Sequence, residues 1–429
     1  MLRWELADEQ ATEREPLTAF TSYVNDVDFS ADGRVLIAAS SDQDVTLFDA
    51  ANGAELRRLT TPAIANGAAV VDGRPVASGA DGLLRVWPAE SPVWRSSGSV
   101  IYNLSGSSRW LAGGSPYDGI ALWRVGEEVR RMPTPVVGEL PEDDLQQGAA
   151  AIAPNQAWLA GGTAEGRVLT WPLTERGAGE VSVFDAGIGY IAAVAISPDS
   201  RLLAAFEYLG TRTAVFSADP GTGRLTLLTA LDTPGAELTA FTSDTVLAVA
   251  LASNRVVLWS LADPAHPEIA GEIELATMPQ TVTAARHRPL LAVGEESGDV
   301  SLWDVADPAN PVRVRGFGDP RSGMYSLEFS PDGSLLIGTS GDDQIWGWDL
   351  TSDEGTALFS LDGGLGRPWD ARFIEDGARF AVSGSTGAVK VWVPDRAAAK
   401  AKLCATRGDP LTAEEWQRYL PGVQPEDPC

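Results

Sequence analysis

The chain has 429 residues, and its 59 acidic and 32 basic side chains give a formal net charge of −27. Nucleic-acid backbones and anionic membranes bind basic patches, so this balance argues against both as partners. Two histidines and two cysteines leave little material for metal or histidine chemistry, and we expect no cofactor and no metal. No apolar run reaches the roughly 18 residues of a membrane span. Residues 1–15 lack the apolar core of a signal peptide, so we expect a cytoplasmic protein.

A short strand pattern that ends in an aromatic residue recurs along the whole chain. The nine endings are Phe48, Trp87, Trp123, Trp171, Phe216, Trp259, Trp303, Trp348 and Trp392. The first and the last are 344 residues apart, so the mean period is about 43 residues. A large ring that recurs once per repeat is typical of packing between neighbouring repeats. We therefore interpret these nine residues as structural core residues.

Each period has the same internal order. An alternating segment closes in an Asp-Gly turn, as in LEFSPDGS at 327–334, and a short apolar strand such as LLIGTSG follows. A tight turn leads to the aromatic-terminated strand, and a polar, proline-containing run such as ADPANPVRVRG at 306–316 comes last. Four short antiparallel strands per period predict an all-β protein built from propeller blades.

The repeats resemble WD40 repeats, because the Trp-Asp dipeptide occurs at Trp303–Asp304 and Trp348–Asp349. WD40 repeats also carry a Gly-His pair whose histidine joins a buried polar tetrad. Neither His266 nor His287 lies in such a pair, so we expect that tetrad to be absent. The tail LTAEEWQRYLPG and the linkers DPAHPEI and DPANPVRV look like the C-terminal propellers of signalling proteins from actinobacteria. The resemblance implies a non-enzymatic interaction scaffold or sensor module in bacterial signalling or stress response.

The repeats divide the chain into a propeller at 1–395 and a short helical tail at 396–429. We favour a single ring of nine blades; the alternative is a seven-bladed ring with extra blades. The segment Glu13–Phe20 is predicted to close the ring by pairing with residues 389–393, where the last blade lacks an outer strand. Cys404 and Cys429 are expected to be free thiols, with a disulfide as the alternative.

The residues at the entry to the first strand of a blade are the candidate partner-binding residues. They are Tyr23, Asn25, Tyr190, Tyr325 and Trp369. Tyrosine and tryptophan are common in interfaces, although these residues could instead cap the central channel. We expect a protein partner, with the chain a monomer or part of a larger assembly. The sequence shows no catalytic constellation; the alternative function is a lactonase-like hydrolase with a divalent metal in the channel.

Overall fold

The structure is a computed structural model of the chain. It describes residues 1–394 apart from several gaps, and residues 395–429 are not described. The gaps are 8–9, 19, 62, 72, 83, 88–93, 96–100, 116–118, 126–129, 133–148, 208–209, 353–354, 356, 364 and 386–387. The predicted helical tail and both cysteines therefore lie outside the described residues.

The described residues form ten antiparallel sheets, and the regular structure outside them is a 3-10 turn at Glu375–Gly377. The first sheets are a two-stranded hairpin, a four-stranded sheet and a three-stranded sheet. Their strands are β1 (Arg3–Ala7) and β2 (Gln10–Arg14); β3 (Val24–Phe29), β4 (Val35–Ser40), β5 (Asp44–Asp49) and β6 (Glu55–Thr60); and β7 (Ala65–Val71), β8 (Arg74–Gly79) and β9 (Leu84–Val86).

The middle of the chain forms three more sheets after the short strand β10 (Trp94–Arg95). The strands of the first are β11 (Asn103–Gly106), β12 (Trp110–Ser115), β13 (Gly119–Arg124) and β14 (Arg130–Met132). The next has β15 (Ala149–Ile152), β16 (Trp158–Gly162), β17 (Arg167–Thr174), β18 (Gly177–Ala178) and β19 (Ser182–Asp185). The third has β20 (Ile191–Ile196), β21 (Leu202–Glu207), β22 (Arg212–Ala218) and β23 (Leu225–Asp232).

Four sheets complete the described chain. The first three are β24 (Ala236–Phe241), β25 (Val246–Leu251), β26 (Arg255–Ser260) and β27 (Glu268–Glu274); β28 (Pro279–Ala284), β29 (Leu290–Glu295), β30 (Val300–Asp304) and β31 (Val312–Phe317); and β32 (Met324–Phe329), β33 (Leu335–Ser340), β34 (Gln344–Asp349) and β35 (Phe359–Asp362). The last contains β36 (Pro368–Ile374), β37 (Arg379–Gly384) and β38 (Ala388–Trp392), with β10 as its fourth strand. The predicted all-β architecture of repeated four-stranded sheets is confirmed.

Neighbouring sheets pack through one strand of each sheet, which we call the innermost strand. Innermost strands β11, β15, β20, β24, β28, β32 and β36 each pack against the next one, and β36 packs against β11. Strand β3 packs separately against β7. In the single ring of nine favoured by the sequence, β36 would instead meet the first repeat.

A recurrent hydrogen bond accompanies this packing. The third residue of one innermost strand accepts a hydrogen bond from a backbone N–H of the following sheet. Asp26 Oδ2 accepts from Ala68 N at 3.0 Å, and Ser326 Oγ accepts from Ala371 N at 3.1 Å. At the junction of β36 with β11, Asp370 Oδ2 accepts from Leu104 N at 2.7 Å. The junction of β36 with β11 therefore has the same hydrogen bond as the β3–β7 and β32–β36 junctions.

The prediction that Glu13–Phe20 pairs with residues 389–393 is wrong. Strand β38 pairs with β10, through Trp94 with Val389 and Arg95 with Ala388. In the segment Glu13–Phe20, the first two residues belong to β2 and pair with β1. Farther along, Leu17 is buried and the Phe20 ring lies 5.6 Å from the ring of Phe48. The segment therefore packs on the adjacent first sheet because its apolar side chains find a partner there.

The nine aromatic repeat ends lie in or beside the sheet interfaces. Five are buried: Phe48, Trp123, Trp171, Phe216 and Trp348. Four are half-buried: Trp87, Trp259, Trp303 and Trp392. Around Trp348, for example, the rings of Phe317 and Trp346 lie 5.5 and 6.4 Å away. Each such ring removes a large apolar surface from water, which is the dominant stabilising effect in a core.

Candidate interaction face

A β-bulge occurs near the start of the innermost strand in seven of the sheets. The register shift falls at the second residue of the strand, which faces no single partner in the ladder. The seven bulge residues are Asn25, Asn66, Ala192, Glu237, Gln280, Tyr325 and Trp369. Because the bulges share one register position, they mark equivalent places on the seven sheets.

Two bulge residues take part in an aromatic cluster that crosses from β32 through β36 to β11. The Trp369 ring lies 5.1 Å from the Tyr325 ring and 5.0 Å from the ring of Tyr102, which precedes β11. The interplanar angles are 36° and 57°, so the rings are tilted against each other. Tyr102 is exposed, whereas Tyr325 and Trp369 are half-buried. The cluster is thus a fixed apolar platform that still reaches solvent.

Arg367 places a positive charge on this platform. Its guanidinium carbon lies 5.6 Å from the centre of the Trp369 ring and 6.0 Å from that of Tyr325, within cation–π range. The Arg367 side chain is exposed and, among the described residues, its guanidinium makes no hydrogen bond or ion pair. Its N–H groups are therefore available to an acceptor from outside. We call Tyr102, Tyr325, Arg367 and Trp369 the aromatic face.

The equivalent bulge positions carry different kinds of side chain in different sheets. Glu237 is half-buried, and burial raises the pKa of its carboxyl group above the ordinary value. Gln280 is also half-buried, and its Oε1 atom has no hydrogen-bond partner among the described residues. Aromatic residues therefore occupy the bulges of β32 and β36, and polar residues occupy those of β24 and β28.

Directly after Trp369, the buried side chain of Asp370 ties β36 to its neighbours. Its Oδ1 atom lies 2.8 Å from Arg372 Nη1, and its Oδ2 atom accepts the Leu104 N–H. Burial raises the pKa of Asp370 to about 6, although Arg372 and the Leu104 N–H lower it. A second acid, Glu328, lies 3.8 Å from the same Arg372 nitrogen. The residue that follows Trp369 is therefore held in place by an ion pair and a hydrogen bond.

The five predicted partner-binding residues do not form one group. Tyr325 and Trp369 come together on the aromatic face. Asn25 donates from Nδ2 to Ser41 Oγ at 2.9 Å and to the carbonyl oxygen of Ala65 at 2.8 Å, so it links β3 to β7. Tyr23 is strongly exposed beside β3, and Tyr190 is half-buried just before β20. Their role in binding stays a prediction.

Sequence reasoning missed two members of the aromatic face. The pattern Ile101-Tyr102-Asn103 parallels Met324-Tyr325-Ser326 and could have identified Tyr102. Arg367 lies two residues before Trp369, but a search for aromatic residues passes over it. The place of Arg367 in the aromatic face depends on its contact with the rings of Tyr325 and Trp369, and the sequence does not show that contact.

Two features of the described residues concern metal binding and membrane insertion. No group of three or more histidine, cysteine, aspartate or glutamate side chains comes close enough there to hold a metal ion. In that same part of the chain, no helix is long and apolar enough to cross a membrane.

Two sheets carry a polar network related to the WD40 tetrad. In the β32–β35 sheet, Trp346 Nε1 donates to Ser340 Oγ at 3.0 Å, and Ser340 Oγ donates to Asp342. The Arg321 backbone N–H also donates to Asp342, at 3.3 Å. In the β3–β6 sheet, the Thr21 N–H donates to Asp42 at 2.9 Å. These contacts contain no histidine, and backbone amides donate to the two aspartates.

Repeated four-stranded antiparallel sheets with such networks are consistent with a propeller of the WD40 type. The family described as "WD domain, G-beta repeat" matches residues 14–49 and 311–349, which include most of the two sheets that carry the networks. A curated relative, transcription initiation factor TFIID subunit 5 from Caenorhabditis elegans, is 29% identical over 85 residues. That match covers 20% of this chain and 12% of the relative. WD40 repeats are generally found in non-enzymatic scaffolds for protein–protein interaction.

Proposed function

We propose that the seven sheets with innermost strands from β11 to β36 form a closed seven-bladed propeller. The packing of β36 on β11 supports this, as do the pairing of β10 with β38 and the Asp370–Leu104 hydrogen bond. Seven blades lie within the usual range of four to eight. The first three sheets, which are the β1–β2 hairpin, the β3–β6 sheet and the β7–β9 sheet, then lie outside the ring. A seven-bladed ring with extra blades is the alternative that the sequence left open. The boundary with a tail at 396–429 remains a prediction.

We further propose that the protein is a non-enzymatic interaction module that binds a protein partner through the aromatic face. The observation that carries this proposal is the platform of three rings with an unpaired guanidinium above two of them. Such a surface fits a peptide segment with an apolar side chain for the rings and a carboxylate for Arg367. Rigid aromatic residues and arginine are also the residue types that dominate binding energy in interfaces.

The test compares the proteins captured by the immobilised chain and by three variants, using quantitative mass spectrometry of a native lysate. We expect Trp369→Ala and Arg367→Glu to lose the same partner. Val312→Ala is the matched control, because Val312 is an exposed apolar residue of β31 outside the aromatic face. Thermal unfolding of each variant checks that the fold is intact. A partner retained by Trp369→Ala and Arg367→Glu, or lost equally with Val312→Ala, would contradict the proposal.

A cytoplasmic role in bacterial signalling or stress response is a further part of the proposal. Its support is the resemblance of the tail and of the DPAHPEI and DPANPVRV linkers to actinobacterial signalling chains. The hydrolase alternative has no observation in the described residues that favours it.

A further inference from the structure

Three consecutive junctions around the aromatic face share one kind of hydrogen bond but use different acceptors. Between β32 and β36 the acceptor is the Ser326 hydroxyl, at 3.1 Å, and between β11 and β15 it is the Asn103 amide oxygen, at 2.9 Å. Between β36 and β11 it is the Asp370 carboxyl group, which accepts the Leu104 N–H at 2.7 Å. Because neutral groups serve in both flanking junctions, the hydrogen bond does not require an acid. Asp370 therefore adds a group that can titrate.

The closed junction encloses the Asp370 carboxyl group. Asp370 is 3% exposed, whereas Asp26, at the equivalent position of β3, is half-buried and reaches water. The two strands approach closely, since a Cβ at Gly106 of β11 would collide with the carbonyl oxygen of Phe373 in β36. A buried carboxylate loses its hydration. The ionised form of Asp370 is therefore costly as long as β11 stays on β36.

Few charged groups act on this carboxyl group. Arg372 Nη1, on the same strand, lies 2.8 Å from Asp370 Oδ1, and Glu328 of β32 lies 3.8 Å from the same nitrogen. Strands β11 and β33, which also pack on β36, contain no charged residue. The charged residues of β37 and the 3-10 turn are the ion pair of Arg379 with Glu375 and the exposed Asp376. One guanidinium thus serves two carboxylates, and burial raises the pKa of Asp370 to about 6.

The aromatic face straddles this junction. Tyr102 lies two residues before Leu104, and Trp369 directly precedes Asp370. The contact of 5.0 Å between the rings of Tyr102 and Trp369 therefore crosses the same junction as the Asp370–Leu104 hydrogen bond. Movement of β11 away from β36 would hydrate Asp370 and also take Tyr102 away from Trp369. The charge of one buried group and the integrity of the aromatic face are thus linked by geometry.

We propose that the β36–β11 junction is a pH-sensitive latch for the aromatic face. Near pH 7 the ionised Asp370 gains hydration when the junction opens, so opening is more frequent and Tyr102 leaves the other rings. In mild acid the neutral carboxyl group gains little from water, so the junction stays closed. The pKa of Asp370 is raised in the closed junction, so the stabilisation of that state is complete below 3.8 and is lost as the pH rises through 6.

The latch regulates partner binding at the aromatic face. The platform of three rings is complete when the junction is closed, so binding should be tighter near pH 5 than near pH 7. This regulatory role rests on the proposed function of the aromatic face, whereas the opening of the junction does not.

Hydrogen exchange in the full chain measures opening of the junction without a partner. The protection of β11, corrected for the chemical exchange rate at each pH, should be at least about threefold higher at pH 5 than at pH 7. Asp370→Asn should abolish this difference. The variant copies the Asn103 acceptor of the next junction, so the fold should persist, and thermal unfolding checks this. Asp26→Asn, which removes the equivalent acid of β3, is the matched control and should keep the difference.

Hydroxyl-radical labelling with peptide mass mapping follows the rings themselves. Labelling of Tyr102, taken relative to the strongly exposed Tyr23, should fall from pH 7 to pH 5 in the unmodified chain and stay constant in Asp370→Asn. Glu328→Gln is a second variant that leaves Asp370 in place. The charge of Glu328 raises the pKa of Asp370, so this variant should move the midpoints of exchange and labelling to lower pH.

Equal protection of β11 at pH 5 and pH 7 in the unmodified chain would overturn the latch. A pH dependence that survives Asp370→Asn, or midpoints that stay in place in Glu328→Gln, would overturn it as well. A captured partner together with pH-independent exchange would refute the latch alone. Exchange that depends on pH as expected, with no partner lost by Trp369→Ala, would refute the proposed function alone.

Discussion

Replacing Asp370 with asparagine tests the junction between β36 and β11. The pKa of Asp370 rises from 3.8 to about 6 on folding, mainly because the carboxyl group is buried. At 1.36 kcal/mol per pKa unit, this shift corresponds to about 3 kcal/mol between the two protonation states. The folded chain binds the proton more tightly than the unfolded chain, so the contribution to stability grows as pH falls through 6 towards 4.

Between pH 7 and pH 5 the gain in the free energy of unfolding from Asp370 alone should be about 1 kcal/mol. Asparagine keeps an oxygen for the Leu104 N–H but does not titrate, so Asp370→Asn should lose this gain. The assay is urea unfolding at both pH values, with the difference between variant and unmodified chain taken at each pH. Because all other acids are common to both proteins, their titration cancels in this double comparison.

Asp26→Asn is the matched control, because Asp26 is the third residue of β3 and also accepts a backbone N–H from the next sheet. This variant leaves Asp370 in place and should retain the gain. The reasoning would be refuted if Asp370→Asn kept the pH dependence of the unmodified chain. The reasoning would also be refuted if the gain in stability between pH 7 and pH 5 were lost in Asp26→Asn.

Two further predictions concern the β36–β11 junction and the pairing of β10 with β38. A Cβ at Gly106 would collide with the carbonyl oxygen of Phe373, so Gly106→Ala should lower the free energy of unfolding by roughly 1–3 kcal/mol in urea titrations. Gly355→Ala, where a Cβ meets nothing closer than 3.8 Å, should change it by less than about 0.5 kcal/mol; equal effects would contradict the packing of β36 on β11. Arg95→Pro places a proline, which disfavours a regular ladder, in β10 and should speed hydrogen exchange in β38, whereas Glu13→Pro in β2 should not. Faster exchange of β38 in the Glu13 variant would instead support the pairing of Glu13–Phe20 with residues 389–393.

The repeat and its strands could be predicted because they depend on local patterns. Asp-Gly turns, alternating apolar residues and the aromatic endings are all contained within one period. Ring closure depends on which repeat meets the last one. Every repeat presents similar faces and is preceded by a strand-like segment, so Glu13–Phe20 and Trp94–Arg95 fit the closing position equally well by pattern. The choice is made by packing between residues that are far apart in sequence, such as Leu104 with Asp370.

The candidate site was predicted in part for a similar reason. Tyr325 and Trp369 occupy a recognisable position at the start of their strands, and the structure brings them together. Asn25 occupies the same position, but its amide is used to hold Ala65 and Ser41. The same register position can therefore serve binding or cohesion, and the neighbouring sheet decides which.

The bulges at the start of the innermost strands separate the choice of side chain from the pairing of the sheet. A bulge residue has no single cross-strand partner, so its identity can change without moving the register of the strand. Within this chain the position already holds asparagine, alanine, glutamate, glutamine, tyrosine and tryptophan. The scaffold therefore offers a set of equivalent positions that could be randomised together to select new binding specificities while the strand ladders stay unchanged.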